Sequence, residues 1–197
     1  ARRSLGAATY GGDKVIFGYG YSGSNSSLTN LVNNSGVVAS DTTGVGTARQ
    51  LLAAAEYGFD KAIFGYGDST TNLTNKVSNS GVVATDVSGV GTARIQLAAA
   101  GYGGDKALFG FGINSSTYYS ITNLVNNSGV VAADVTGVGT ARYGLAAAGY
   151  GGDKAIFGFG WTGSGSRLAT TNLVSNSGVV ASDTTGVGTG REAPGAA

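Results

Sequence analysis

One eleven-residue stretch occurs four times in this chain and constrains its fold more than any other feature. The last copy, at 150–160, reads Tyr-Gly-Gly-Asp-Lys-Ala-Ile-Phe-Gly-Phe-Gly, and the earlier copies lie at 10–20, 57–67 and 102–112. The aspartate of each copy follows the previous one by 45 to 48 residues. A period of this length is typical of repeat architectures, in which each unit is one supersecondary element.

Each unit is predicted to contain four short strands, which the last unit shows most clearly. They cover 145–149, 154–159, 171–175 and 178–182. The Asn-Ser-Gly sequence between the third and fourth strands is a hairpin signal, because Asn and Gly tolerate positive φ. The Leu-Ala-Ala-Ala run of the first strand is also a good local helix former. We interpret it as a strand, because it is short, ends at a glycine and lies among strand signals.

Four strands in about 47 residues, repeated, predict an all-β chain whose units are the blades of a β-propeller. The blades cover approximately 3–48, 49–93, 94–141 and 142–190, and 191–197 is a tail. We expect the four blades to close a ring by packing, without exchange of strands. Two alternatives remain: two chains share an eight-bladed ring, or the units form a β-solenoid.

Three sets of side chains recur at equivalent positions and are predicted to be structural. The phenylalanines should pack between blades, and they are Phe17, Phe64, Phe109 and Phe157. The turn aspartates should bind turn N–H groups, the following lysine or the arginine of the next unit; they are Asp13, Asp60, Asp105 and Asp153. The arginines precede the first strands; they are Arg49, Arg94 and Arg142, with Arg3 opening the first unit and Arg191 beginning the tail.

The run from this arginine through Leu-Ala-Ala-Ala-Gly-Tyr-Gly-Gly-Asp-Lys-Ala-Ile-Phe-Gly-Phe-Gly resembles the kelch motif. That resemblance implies a propeller, although Gly-Tyr-Gly or Gly-Phe-Gly replaces the paired glycines of kelch, and Val179-Val180 stands where kelch has a tryptophan. The wording of the repeat is also similar to kelch-like segments of tail-associated and other virion proteins of bacteriophages. This second resemblance implies a virion or extracellular location.

The composition removes several classes of function. The chain has no Cys and no His, so disulfides, thiolate chemistry and the usual catalytic triads are excluded. A net charge of +1 predicts no nucleic-acid partner, and the lack of an 18-residue apolar run predicts no membrane partner. One carboxylate per Asp-Thr-Thr-Gly-Val-Gly loop is too few for calcium, so we expect neither metal nor cofactor.

Catalysis by two acidic groups requires that they lie in different environments, and only Glu56, Asp68 and Glu192 break the repeat symmetry of the acidic residues. A glycan-processing enzyme is therefore the weakest hypothesis.

The units differ most in the loop between the second and third strands, at 21–28, 68–73, 113–121 and 161–170. Loops that vary on a rigid scaffold are the usual place for binding. The candidate ligand-binding residues in them are Tyr21, Asn25, Asp68, Tyr118, Tyr119, Trp161 and Arg167. We therefore predict a non-catalytic recognition or display module that binds a cell-surface glycan or protein. The alternative is a structural module that assembles with sister subunits or other virion proteins.

Overall fold

Each of the four sequence units folds into one small antiparallel sheet of three strands. The structure is a computed structural model that describes residues 1–68, 71–163 and 165–195. The strands of the first unit are β1 (Gly6–Tyr10), β2 (Lys14–Gly18) and β3 (Thr29–Val32), and those of the second unit are β4 (Ala53–Tyr57), β5 (Lys61–Gly65) and β6 (Thr74–Val77). The third unit contains β7 (Ala98–Tyr102), β8 (Lys106–Gly110), β9 (Ile113–Asn114), β10 (Thr117–Tyr118) and β11 (Thr122–Val125), of which β9 and β10 form a separate hairpin. The fourth unit contains β12 (Ala146–Tyr150), β13 (Lys154–Gly158) and β14 (Thr171–Val174).

The prediction of an all-β fold is confirmed, and the alanine-rich run is a strand in every unit. In the first unit Gly11 and Gly12 take φ values of 62° and 80°, and they reverse the chain so that Tyr10 pairs with Lys14. Pairing along the whole of β2 then overrides the helix propensity of alanine, which is a weak local preference. The described residues contain no helix with the length and apolar character of a membrane span.

The predicted fourth strand is wrong as a regular strand, because it is reduced to two isolated bridges in each unit. In the second unit these bridges join Val77 to Val83 and Thr74 to Val87, a shift of one residue in register. The Asn75 side chain lies at this shift and donates to the Ala84 carbonyl at 3.0 Å. One extra residue of this kind is a β-bulge, which interrupts the ladder of hydrogen bonds.

The hydrophobic core lies between the sheets, as three clusters that each join two successive units. The cluster between the second and third sheets contains Ile63 and Tyr66 from one side and Ala107, Phe109 and Val125 from the other. Of the other two clusters, one joins the first and second units and the other joins the third and fourth. The predicted packing of phenylalanines between units is confirmed for Phe64, Phe109 and Phe157, which are fully buried, but Phe17 is only half-buried.

The four sheets form an open series in chain order. Strands β1, β4, β7 and β12 lie side by side and line one cavity of about 630 Å³ with small residues, among them Ala55 and Ala100. Extensive contacts join β1 to β4, β4 to β7 and β7 to β12. Within the described ranges, no such contact joins β12 back to β1, so the predicted closure of a ring by these four units is not present. The outward faces of the first and last sheets therefore stay uncovered, as the half-buried Phe17 and the exposed Tyr150 show.

Candidate functional site

The repeated arginines are buried structural side chains. Arg94 has no exposed surface, and its Nε and Nη2 atoms donate to the Phe111 carbonyl and to Asn123 Oδ1, both at 2.7 Å. Its guanidinium also lies 4.5 Å from the ring centre of Tyr66 in the preceding unit. Arg49 and Arg142 make the equivalent contacts. Burial lowers the pKa of Arg94, and it lowers that of Arg142 to about 10.

A second set of aspartates completes this network. Asp134 lies 3.9 Å from Arg94 Nη1 and accepts hydrogen bonds from Thr92 Oγ1 at 2.7 Å and from Asn123 Nδ2 at 2.9 Å. Burial alone would raise the pKa of Asp134, but these hydrogen bonds outweigh it and hold the pKa below its usual value. The residues in this position are Asp41, Asp86, Asp134 and Asp183.

The first unit uses Arg2 in this network, so the expectation that Arg3 is the equivalent residue is wrong. Arg2 contacts Asn30 and lies 3.8 Å from Asp41, as Arg94 does with Asn123 and Asp134. The sequence pattern that identifies it is Arg-x-x-Leu, which ends at Leu5. Arg3 instead places its guanidinium 5.0 Å from the ring centre of Tyr21.

The turn aspartates have a different partner set, which is also structural. Asp105 binds Lys106 Nζ at 2.9 Å and accepts from Asn127 Nδ2 at 3.1 Å. The hydrogen bond from Lys106 is the main reason that the pKa of Asp105 is lowered. The expected pairing with the following lysine is confirmed in all four units. The arginines bind the other aspartate series.

The structure does not bring together the three acidic residues that break the repeat symmetry. Glu56 lies on β4 and contacts the Thr9 hydroxyl. Asp68 follows the far end of β5, at the opposite end of the same sheet. Glu192 pairs with Arg167 at 3.6 Å in the tail. Among the described residues, no group of three or more acidic side chains is arranged to hold a metal ion.

The residues that differ between units are paired along one edge, which we call the variable edge. The first residue of each variable loop lies opposite the residue that follows the repeated arginine, through backbone hydrogen bonds. The pairs are Tyr21 with Arg3, Asp68 with Gln50, Ile113 with Ile95, and Trp161 with Tyr143. Ser69 and Thr70 of the second loop, Ser164 of the fourth loop and Ala196 and Ala197 of the tail lie outside the described residues.

The variable edge is polar in the first two units. Asn25 Nδ2 donates to Asp68 Oδ2 at 2.7 Å, so the loops of these units meet. Tyr21 lies against Arg3 and pairs with Asn25 through a backbone bridge. Two of the predicted binding residues, Asn25 and Asp68, are therefore hydrogen-bonded to each other. The ring face of a third, Tyr21, is in contact with the Arg3 guanidinium.

The variable edge is aromatic in the last two units. Tyr118 stacks on Tyr143 with ring centres 5.5 Å apart, and Tyr143 lies 5.4 Å from Trp161. All three side chains are half-buried. The Trp161 indole N–H is buried and makes no hydrogen bond to the described residues. We call these three residues the aromatic cluster.

The two remaining predicted residues flank this cluster. Tyr119 holds the loop through its backbone, which donates to the Gly112 carbonyl at 2.9 Å and accepts from Arg142 at 3.3 Å. Arg167 is exposed, bridges to Trp161 through the backbone and pairs with Glu192. Tyr119 thus positions the loop, and Arg167 places a positive charge beside the aromatic cluster.

Sequence reasoning missed the partners of the variable loops, namely Arg3, Gln50, Ile95 and Tyr143. A signal for them was present, because the residue directly after the aligned arginine differs in every unit while the leucine that closes Arg-x-x-Leu is constant. Tyr143 is the most important of them, since it lies between Tyr118 and Trp161 and joins loops of two units.

The chain matches no protein-family model, and no curated protein is detectably similar to it. The resemblances to kelch repeats and to phage virion proteins therefore stay predictions.

Proposed function

We propose that this chain is a non-catalytic recognition module that binds a glycan at the aromatic cluster. The observation that carries the proposal is the contact of Tyr118, Tyr143 and Trp161 in one cluster, on an edge where every unit differs. Flat aromatic rings contact the apolar faces of sugars, and they lose little conformational entropy on binding. The variable loop that contains Tyr118 also has short polar side chains at Ser115, Ser116 and Thr117. These side chains are exposed and can form hydrogen bonds with sugar hydroxyls.

The arrangement of the scaffold supports this proposal. The arginine networks repeat in each unit and bind the backbone carbonyl two residues before each variable loop, while the loop contents change. The acidic residues that could serve an enzyme are dispersed, which favours binding over catalysis. A virion or extracellular location is the prediction that the phage resemblance implies, and a glycan ligand is compatible with it.

We propose a propeller-like architecture for the scaffold. Four equivalent first strands line one cavity and carry small residues there, as the innermost strands of propeller blades do. The sheets also pack on one another in chain order. Further units would then be required to complete a ring.

The glycan proposal can be tested on a glycan array, followed by titration of each hit against tryptophan fluorescence. Trp161 is the only tryptophan, so its emission reports on the aromatic cluster alone. We expect Tyr143→Ala to weaken binding about twofold to tenfold, since one aromatic contact contributes about 0.5–1.5 kcal/mol. The matched control is Tyr21→Ala, which removes an aromatic ring from the variable edge of the first unit, at the position equivalent to Trp161, and should leave binding unchanged.

Two results would contradict the proposal. One is the absence of binding to every glycan on the array. The other is binding that both variants leave intact, because the ligand would then lie elsewhere. Binding to a protein array with the same dependence on Tyr143 would move the proposed ligand from glycans to proteins.

A further inference from the structure

The three internal junctions between sheets share one steric fit. In the first junction the Phe64 ring fills the space above Gly18, where an added Cβ would lie 2.6 Å from the ring. Phe64 also meets Tyr19 edge to face, with ring centres 5.1 Å apart. Side chains alternate along a strand, so Ile16 and Gly18 face the next sheet while Phe17 faces away from it. Every junction thus joins a glycine slot on one sheet to a phenylalanine on the next.

The last sheet presents the slot with nothing in it. An added Cβ at Gly158 would meet only Thr171, at 3.5 Å, whereas at Gly110 it would lie 2.6 Å from Phe157. Tyr150 and Leu173 on this face are 41% and 42% exposed, although the equivalent Tyr10 is 3% exposed. We call this surface the trailing face. It has the apolar residues of an internal junction without the sheet that covers them.

The first sheet presents the matching phenylalanine, on what we call the leading face. Phe17 is half-buried, while its three equivalents are fully buried. An added Cβ at Gly36 would meet nothing within 4 Å, but at the equivalent Gly81 it would touch Tyr10 of the preceding sheet. The leading face therefore carries the uncovered phenylalanine that would fit the empty slot above Gly158 on the trailing face.

The backbone groups of the two faces are complementary, as the side chains are. At each internal junction the first turn glycine donates to the aspartate carbonyl of the next unit, as Gly58 does to Asp105 at 2.7 Å. Within the described part of the chain, the Gly151 N–H has no such partner, and the Asp13 carbonyl accepts no such bond. One face therefore offers a donor and the other an acceptor.

We propose that a second copy of this chain docks head to tail, with Phe17 of one copy in the slot above Gly158 of the other. A contact between two different faces is heterologous, and repeated heterologous contacts either close into a ring or extend as a filament. Strands β1, β4, β7 and β12 line one cavity, so the series is curved and favours closure. Two copies would form a ring of eight units.

The tail must exchange with an equivalent segment at this junction. Arg191 lies 4.4 Å from the ring centre of Phe159, and the Ala193 N–H donates to the Gly144 carbonyl at 2.6 Å. These are the places that Arg2 and Ser4 of the incoming copy would take. One segment leaves as the other enters, so the number of hydrogen bonds at the junction need not change.

The docking can be tested with Gly158→Val by native mass spectrometry and by light scattering over a range of concentrations. We expect the unaltered chain to form a dimer, and the variant to associate at least about tenfold more weakly, because the new side chain fills the slot that Phe17 would occupy. The variant should fold normally, since the slot is empty in the single chain. The matched control is Gly110→Val, which places the same side chain in an occupied slot and should lower thermal stability.

A mixing experiment makes the test independent of any single variant. Gly158→Val keeps an intact leading face, and Phe17→Ala keeps an intact trailing face. We expect a mixture of the two to form heterodimers through one intact junction, while each alone is predominantly monomeric. Larger oligomers that Gly158→Val abolishes would support the docking with an open geometry. A chain that is monomeric at all concentrations, or a dimer insensitive to both variants, would overturn the proposal.

Discussion

The ring of Phe109 lies directly over Gly65 of the preceding unit, where an added Cβ would stand 2.5 Å from its Cζ atom. The same fit joins Phe64 to Gly18 and Phe157 to Gly110. Both members of the pair therefore recur in the repeat for one reason: the glycine of one unit makes room for the phenylalanine of the next. The repeated stretch encodes a junction between neighbouring sheets.

The first prediction concerns the glycine of this pair. Gly65→Ala should lower the free energy of unfolding by about 1–3 kcal/mol, because the buried Phe109 ring must shift within a packed core. The control is Gly101→Ala, where the nearest atom to an added Cβ is 3.6 Å away, and which should change stability little. Chemical denaturation measures both, and equal losses would contradict this account.

The second prediction concerns the phenylalanine. Phe109→Ala should cost about 3–5 kcal/mol, since it removes a fully buried ring and leaves a cavity. Phe17→Ala should cost clearly less when measured on the monomer, because that ring is already half-exposed. Hydrogen exchange should show the loss for Phe109→Ala concentrated in the second and third units. Similar costs for the two variants would show that exposure does not decide the effect.

The third prediction concerns the buried arginine network. Arg94→Met should destabilise by about 3–5 kcal/mol, because it leaves Asp134 without its cation and the Asn123 oxygen without its donor. Arg167→Met is the matched control. It breaks an exposed pair with Glu192 and should cost about 0–1 kcal/mol. Thermal unfolding of the two variants would contradict the prediction if the midpoints fell equally.

The fourth prediction concerns acid. The pKa values of Asp86, Asp134 and Asp183 are lowered in the folded chain, because hydrogen bonds to each carboxylate outweigh its burial. The unfolded chain therefore binds these protons more readily, and stability is retained above the usual aspartate pKa of about 3.9 and lost as pH falls below it. Denaturation midpoints measured from neutral pH to pH 3 should show this decline.

A variant isolates the contribution of one carboxylate to this decline. Asp134→Asn keeps the shape of the side chain but does not titrate, so its stability should be lower at neutral pH and should fall less steeply in acid. An unchanged slope in this variant would assign the acid sensitivity to other groups, such as the turn aspartates, whose pKa values are also lowered.

The strand pattern could be predicted because it depends on neighbouring residues. The turn glycines, the Asn-Ser-Gly sequence and the apolar runs of three or four residues all lie within one unit. The runs between the turns fold as strands close to the predicted bounds. The prediction of a regular fourth strand was wrong because one side chain, that of Asn75, donates to the Ala84 carbonyl, which the backbone ladder would otherwise use. Local propensity contains no information about that competition.

The candidate site was predicted only in part. The variable loops identified Tyr118 and Trp161, but Tyr143 was missed because it lies 18 residues before Trp161 and reaches it through strand register. The pairing of Asn25 with Asp68 likewise depends on how two units stack. Contacts of this kind follow from the packing of whole sheets.

The sequence by itself determined the unit of this protein: its length, its strands, its turns and the alternation that places Ile16 and Phe17 on opposite faces. These features depend on backbone preferences and on a side-chain period of two, which short stretches express fully. Only the tertiary structure decided what each face meets, that the four sheets stay an open series, and that the aromatic residues of separate units form one cluster. The reason is that the core lies between units, so each residue's environment depends on a neighbour about 47 positions away.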